Sequence, residues 1–244
     1  MAVQDDARER QLIELFKLER IPGSGRADTD ARLVIGEVHV PFELKSTTSA
    51  DGSVTTVRDF GAAHIAKWKG KHWLIGCYRQ DGVTLKYCLY GSPQRMATWI
   101  RDKEEYIRVD SLLADCVPEL ITLEMLYKIL GKKKAYSLKD AKLLHKRQYK
   151  QAQYREKMDL EQGYSPERML DILKDRCRYV IERGATLNNP HIPGSYFAAW
   201  ERIDENQAKR LRELVAEALE ETAAKLQKTA QGLEQNARKM DKAR

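Results

Sequence analysis

Four residues near the start of the chain have the types and spacing of a site that cleaves phosphodiesters with a metal ion. They are Asp28, Asp30, Glu43 and Lys45, and Asp30 precedes Glu43 by thirteen positions. Alternate side chains of a β-strand lie on one face, so Glu43 and Lys45 are expected to point the same way. Carboxylates bind Mg²⁺, and a bound metal ion can promote attack of water on a phosphate ester.

A predicted β-hairpin brings these residues together. We expect one strand at Arg32–Ile35 and a second at Val38–Ser46, with the turn at Gly36-Glu37 between them. The second strand then returns Glu43 towards the acidic residues that precede the first strand. The apolar neighbours of Glu43 on the same strand are expected to face the core.

The elements around the hairpin predict an α/β fold. We expect, in chain order, a helix at Asp5–Leu18, the hairpin, a polar loop at Thr48–Asp59, a helix at Phe60–Lys69, and strands at His72–Tyr78 and Thr84–Tyr90. A helical crossover between two strands of one sheet would hold the candidate site on rigid backbone.

This arrangement of acid, hairpin and Glu-x-Lys resembles the PD-(D/E)xK nuclease superfamily, and type II restriction endonucleases in particular. The resemblance implies an αβββαβ core with a central mixed sheet, within a catalytic region of residues 1–115. It also implies Mg²⁺ held by Asp30, Glu43 and the Leu44 carbonyl, with Lys45 orienting or helping to deprotonate the attacking water. Double-stranded DNA is then the substrate, and a cognate DNA methyltransferase shares the recognition site.

The sequence departs from the family pattern at the first acid, and two alternatives stay open there. No proline precedes either candidate, because Thr29 stands before Asp30 and Ala27 before Asp28. Asp30 is preferred since the apolar strand residues follow it most closely, and Asp28 is its rival. The Glu-x-Lys pair has a second interpretation too, as a solvent-facing ion pair on an edge strand.

Composition indicates a globular cytoplasmic protein without a membrane partner. The 244 residues include no apolar run long enough to cross a bilayer, and Met1–Gln11 lacks the apolar stretch of a signal peptide. The cysteines have no CxxC spacing and are predicted to be buried, reduced thiols: Cys77, Cys88, Cys116 and Cys177.

Positive charge is concentrated in one segment, within a region of residues 116–200 that is predicted to be helical and to contact DNA. The chain carries a net charge of +7, and residues 132–157 hold ten Lys or Arg against two acids. We predict a basic helix there, with a cap at Ser137 and Asp140 three residues on. Contact with phosphates and a simply solvated helix are both open. The candidate backbone contacts are Arg58 of the polar loop and Lys132, Lys133, Lys134, Lys142, Lys146, Arg147 and Lys150.

A second helix is expected to begin at Ser165-Pro166, and a rigid polar loop follows it. The loop offers Asn188, Asn189 and His191 for base contacts, since Asn can bond adenine bidentately in the major groove. The alternative is a turn whose Asn side chains satisfy nearby backbone groups.

The last region, residues 201–244, is predicted to be one long helix with a heptad seam. Ala and Leu alternate along the seam at Ala216, Leu219, Ala223, Leu226, Ala230, Leu233, Ala237 and Met240. A helix over Ile203–Lys239 is too long for one small domain to cover, so we expect it to take part in a homodimer. A tail folded back on its own chain, or frayed, is the alternative.

The sequence therefore predicts a type II restriction endonuclease. Two other functions remain open: a repair or recombination nuclease of the same superfamily that reads DNA structure, and a non-catalytic DNA-binding or coiled-coil interaction protein.

Overall fold

The computed structural model describes residues 2–21 and 29–242, and side chains over 6–21 and 29–233. The chain divides into two compact units, each built from separate stretches. The first unit contains Met1–Thr56, Lys67–Ile100 and Pro190–Arg244, and the second contains Val57–Ala66 and Arg101–Asn189.

Nine α-helices, two short 3₁₀ helices and seven strands are present within the described ranges. The strands are β1 (Ala31–Ile35), β2 (Val38–Thr47), β3 (Val54–Thr55), β4 (His72–Tyr78), β5 (Leu85–Gly91), β6 (His191–Ile192) and β7 (Glu201–Ile203). The helices are α1 (Ala2–Phe16), α2 (Ala62–Trp68), α3 (Pro93–Tyr106), α4 (Arg108–Cys116), α5 (Leu123–Leu130), α6 (Leu138–Leu144), α7 (Gln151–Glu156), α8 (Pro166–Gly184) and α9 (Gln207–Lys242).

The first unit contains a central mixed sheet of five strands in the order β1-β2-β4-β5-β7. The β2–β4 pair is parallel, and the other pairs are antiparallel. This arrangement confirms the predicted α/β class and the predicted hairpin, in which Ile35 pairs with Val38 across the turn. Gly36 has a φ of +60° in that turn, a conformation that glycine adopts without steric cost.

One face of this sheet is covered by the N-terminal helix and the start of the C-terminal helix. The core there joins Leu12 and Phe16 of α1 to Leu211, Leu214 and Val215 of α9. Phe42 and Leu44 of β2 belong to the same core, as predicted from their alternation with Glu43. Glu43 and its neighbours on the other face of the sheet are therefore placed outside this core, where they can form a functional site.

Two predicted boundaries in the first unit are wrong. The expected polar loop at Thr48–Asp59 contains β3, which pairs with β6 in a separate two-stranded sheet. The terminal helix was expected from Ile203, but Ile203 is buried in β7 and pairs with Cys88 on the edge of the central sheet. Asn206 then takes a φ of +50°, and the helix begins after it, at Gln207.

The second unit contains α4 to α8 around a core that is rich in tyrosine. Its buried residues include Tyr136, Tyr154 and Tyr164. The expected start of α8 is confirmed, because the Ser165 side chain accepts a hydrogen bond from the Arg168 N–H and Pro166 is the first residue of the helix.

The predicted basic helix is broken into two. α6 begins at the expected cap, where Ser137 and Asp140 form a reciprocal capping box. It ends at Leu144, because Lys146 and Arg147 adopt φ values of 48° and 57°, which a helix cannot contain. We call residues 145–150 the basic turn.

Two further findings concern membranes and thiols. No helix in the described parts of the chain is long and apolar enough to span a membrane. All four cysteines are free. Cys77 and Cys88 are buried as predicted, whereas Cys177 is only partly buried and Cys116 is exposed.

Candidate active site

The hairpin brings Asp30 against the middle of β2. The Leu44 N–H donates a hydrogen bond of 2.8 Å to Asp30 Oδ2. In an antiparallel pair both main-chain polar groups of one residue face the same neighbour, so the Leu44 carbonyl faces the side on which Asp30 lies. The rival residue, Asp28, lies outside the described residues.

Glu43 lies between two lysines on the opposite face from the core. Lys45 Nζ donates to Glu43 Oε1 and Lys71 Nζ donates to Glu43 Oε2, each at 2.8 Å. The side chains are buried, with 3% of Glu43, 2% of Lys71 and 16% of Lys45 exposed. The alternative of a solvent-facing ion pair on an edge strand is wrong, because β2 lies between β1 and β4.

Lys71 is a site residue that the sequence reasoning missed. It directly precedes β4, and the parallel register places Trp73 beside Glu43. Residues 71 and 73 lie on the same face of their strand, which directs Lys71 towards Glu43. A lysine next to a mainly apolar strand was a signal in the sequence, but its meaning depends on knowing the partner strand and the register.

The pKa values of the acids differ because their surroundings differ. Burial, followed by the charge of Glu43, raises the pKa of Asp30 to about 6. Burial alone would raise the pKa of Glu43 as well, but the ammonium groups of Lys45 and Lys71 lower it overall. Burial would lower the pKa of Lys45, yet the charges of Glu43 and Asp30 raise it overall. The site thus favours an ionised Glu43 and a charged Lys45.

Aromatic side chains form one wall of the site. The Lys45 ammonium lies 5.6 Å from the ring centre of Trp68. The Trp68 ring meets the Trp73 ring edge-on, with 4.7 Å between their centres. Lys67 lies beside Lys71, and burial followed by the charge of Lys71 lowers its pKa despite the opposing charge of Glu43. This apolar wall keeps bulk water from one side of the carboxylates and strengthens the electrostatic interactions there.

The oxygen atoms present fit Mg²⁺ only as a partial set of ligands. An ionised carboxylate can accept from a lysine and still offer lone pairs, so Asp30, Glu43 and the Leu44 carbonyl could hold the ion. Within the described ranges, no group of three or more His, Cys, Asp or Glu residues could hold a metal. Mg²⁺ commonly keeps several waters and binds one or two protein carboxylates together with substrate phosphate oxygens.

The candidate DNA-contacting residues lie on the surface, in both units. In the second unit, the Asn189 N–H donates to the Val57 carbonyl at 3.1 Å, which brings the segment of Arg58 beside that of Asn188. Asn189 has a φ of +49°, as expected if it also serves a turn. In the first unit, His191 pairs with Thr55.

The basic residues of the second unit differ in their contacts with other side chains and in their exposure. Lys133 is paired with Asp140 at 2.9 Å, and Lys132 lies over the Tyr127 ring. Lys142 is partly buried, whereas the remaining members of the predicted set are exposed: Lys134, Lys146, Arg147 and Lys150. Their contact with DNA stays a prediction.

Comparison with known protein families and with curated proteins finds no match to this sequence.

The raised pKa of Asp30 predicts a cost in stability that depends on pH. We expect Asp30→Asn to stabilise the protein, without divalent metal, by up to ~3 kcal/mol at pH 8, since one pKa unit corresponds to ~1.4 kcal/mol. The cost of ionising Asp30 in the folded protein is fully present above its folded pKa of about 6. It is absent below the ordinary pKa of 3.8. The advantage of the variant should therefore shrink as pH falls from 6 to 4. Urea unfolding at pH 8, 6 and 4 measures it, with the exposed Glu37→Gln as a control that shows no such trend. An advantage that is constant across pH would contradict the expectation.

Proposed function

We propose that this protein is a Mg²⁺-dependent endonuclease of the PD-(D/E)xK type, and specifically a type II restriction endonuclease acting on double-stranded DNA. One observation supports the proposal above all others. Asp30, the main chain of Leu44, and the Glu43–Lys45 pair meet where β1 and β2 pair in the central sheet, which supports the site that the resemblance implies.

The order of elements gives further support. From α1 to β4 the chain runs helix, three strands, helix, strand, which is the αβββαβ order. One difference is that β3 pairs outside the central sheet. Glu19 forms an isolated bridge to Arg32 on the free side of β1, so a third segment does extend the hairpin there.

Each site residue has a role that follows from its position. Asp30 and Glu43 would supply carboxylate oxygens, and Leu44 a carbonyl oxygen, to the metal ion. A Mg²⁺ ion bound there would polarise the scissile phosphate and favour an ionised water. Lys45, the more exposed of the two lysines that contact Glu43, holds a charged ammonium close to the attacking water and to the negative charge that develops on the phosphate.

The proposal is tested by incubating the purified protein with plasmid and phage DNA and Mg²⁺. Discrete fragments support a restriction endonuclease. A smear supports a nuclease that acts without sequence preference or reads DNA structure, and intact DNA of retarded mobility supports a non-catalytic binder. A restriction endonuclease also requires protected host DNA, so methylation of its site by a cognate methyltransferase should block cutting.

The basic turn is expected to bind the DNA backbone irrespective of sequence. Lys146 and Lys150 are exposed in it, so Lys146→Ala combined with Lys150→Ala should weaken binding to all duplexes alike. Each lost phosphate contact should lower the slope of log affinity against log salt by ~0.9. Fluorescence anisotropy at several salt concentrations measures the slope. Lys225→Ala with Lys228→Ala removes the same charge from the terminal helix and is the control. Equal slopes for both double variants would leave the basic turn without this role.

A further inference from the structure

Lys71 differs from the other lysines in contact with the candidate site by its burial and its place in the chain. Its side chain is 2% exposed, and its ammonium group donates to Glu43 Oε2 at 2.8 Å. It comes from the turn before β4, whereas Lys45 comes from the same strand as Glu43. The contact of Lys71 with Glu43 is therefore internal, whereas Lys45 keeps 16% of its side chain exposed.

The charges of the site are balanced before any metal ion is added. Asp30 and Glu43 are opposed by Lys45 and Lys71, and Lys67 lies beside Lys71. Glu9 of α1 acts on Lys45 from a greater distance, but its carboxylate is already paired with Arg20 at 3.3 Å. The carboxylates of the site are therefore fully compensated by neighbouring cations. A divalent cation would bring two uncompensated positive charges into a partly buried site, which is unfavourable without an added anion.

We propose that Lys71 is a positioning residue that neutralises Glu43 in the free protein, so that the site takes up a divalent cation together with an anionic phosphodiester. This inference rests on the proposed function and adds the order of assembly to it. The charge of Glu43 is already neutralised by Lys71, so the phosphate supplies the negative charge that the cation needs. Because coupling between two ligands is reciprocal, the metal ion must strengthen DNA binding by the same factor as DNA strengthens metal binding.

The coupling is measurable on the wild-type protein. Calcium is a suitable probe because it is, like magnesium, a hard cation that prefers oxygen ligands. Titration calorimetry with Ca²⁺ should give an affinity at least about tenfold higher in the presence of a phosphorothioate duplex, within the range usual for coupled sites. A change of less than about twofold would overturn the proposal, whether or not the protein cuts DNA.

Two substitutions of Lys71 distinguish the effect of its charge from the effect of its packing. Lys71→Met removes the ammonium group and keeps an unbranched apolar stem. We expect Ca²⁺ to bind this variant at least about tenfold more tightly than wild type without DNA, since Glu43 then carries uncompensated charge. Lys71→Arg keeps the charge and should retain wild-type affinity for Ca²⁺. Lys69→Met, at an exposed position two residues earlier, controls for the loss of a lysine.

Failure of this inference can be distinguished from failure of the proposed function. Equal affinities of Ca²⁺ for wild type and Lys71→Met would remove the role of Lys71 while leaving a nuclease possible. If Lys71→Met is too unstable for calorimetry, a melting temperature that rises more steeply with Ca²⁺ in this variant than in Lys69→Met supports the role, and an equal rise contradicts it. If no form of the protein binds Ca²⁺ or Mg²⁺, with or without DNA, both proposals are wrong.

Discussion

The Glu43→Gln protein is expected to bind DNA but to lose cleavage. The amide carries no charge, so it is a poor ligand for Mg²⁺, and the rate should fall by at least about 10³-fold, equivalent to ~4 kcal/mol in the activation barrier. Without divalent metal, DNA affinity should stay within about tenfold of wild type, because no phosphate-contacting cation is removed. Cleavage of a supercoiled plasmid in Mg²⁺ and anisotropy with a labelled duplex in its absence measure the two effects.

The position of Glu43 also determines how this experiment must be controlled. Its two oxygens accept from Lys45 and Lys71, so an amide in their place directs an NH₂ group at one ammonium. The variant must therefore be shown to fold, by circular dichroism and thermal unfolding. Glu37→Gln, at an exposed position in the turn of the same hairpin, should cut at the wild-type rate. Retained cutting by Glu43→Gln would reject the assignment of the site.

The local part of the site could be predicted from the sequence because it depends on one hairpin. The spacing between Asp30 and Glu43, with a turn between them, was sufficient to place the two residues side by side. The alternation of Phe42 and Leu44 with Glu43 fixed which face is buried, since a strand has a period of two. Both features follow from the residues of one hairpin.

The non-local part could not be predicted in the same way. Lys71 reaches Glu43 only because β4 pairs parallel to β2 after a helical crossover, and its register is set by packing of the whole sheet. Similarly, β7 is a short edge strand, and its partner β5 lies far before it in the sequence. The break at Lys146 and Arg147 was hidden for another reason, because positive φ values are uncommon for lysine and arginine.

The terminal helix leaves the core part of the way along its length. Leu211, Leu214 and Val215 are buried, and Thr222 still accepts a hydrogen bond from Gln94. Beyond that point Leu226 and Leu233 of the heptad seam are each 66% exposed. The side chains of Ala237 and Met240 lie outside the described residues. A duplex has two strands and one site cuts one of them, so a symmetric pair of subunits is the simplest means of breaking both.

Removal of residues 225–244 is therefore expected to weaken a homodimer while leaving the core intact. Burial of one leucine is worth ~2 kcal/mol, and the truncation removes both Leu226 and Leu233, so the dimer dissociation constant should rise by at least about 100-fold. Nicking of the first DNA strand should continue, and cutting of the second strand should slow. Sedimentation velocity at micromolar concentrations and the ratio of nicked to linear plasmid measure these effects. The cut must not be made earlier, because a chain ending before Leu214 would lose part of its core.

Point substitutions on the intact helix distinguish the seam from the rest of its surface. Leu226→Glu with Leu233→Glu places charge on the seam and should reproduce the effect of truncation. Ala224→Glu with Gln231→Glu adds the same charge beside the seam, at exposed positions, and should leave the dimer unchanged. A truncated protein that stays dimeric and cuts both strands would contradict a role for the seam.

The next surface to test would then be formed by the exposed apolar residues of α4 and α5, which include Val109, Leu112 and Ile129. Apolar side chains that one subunit leaves in solvent can be buried by another.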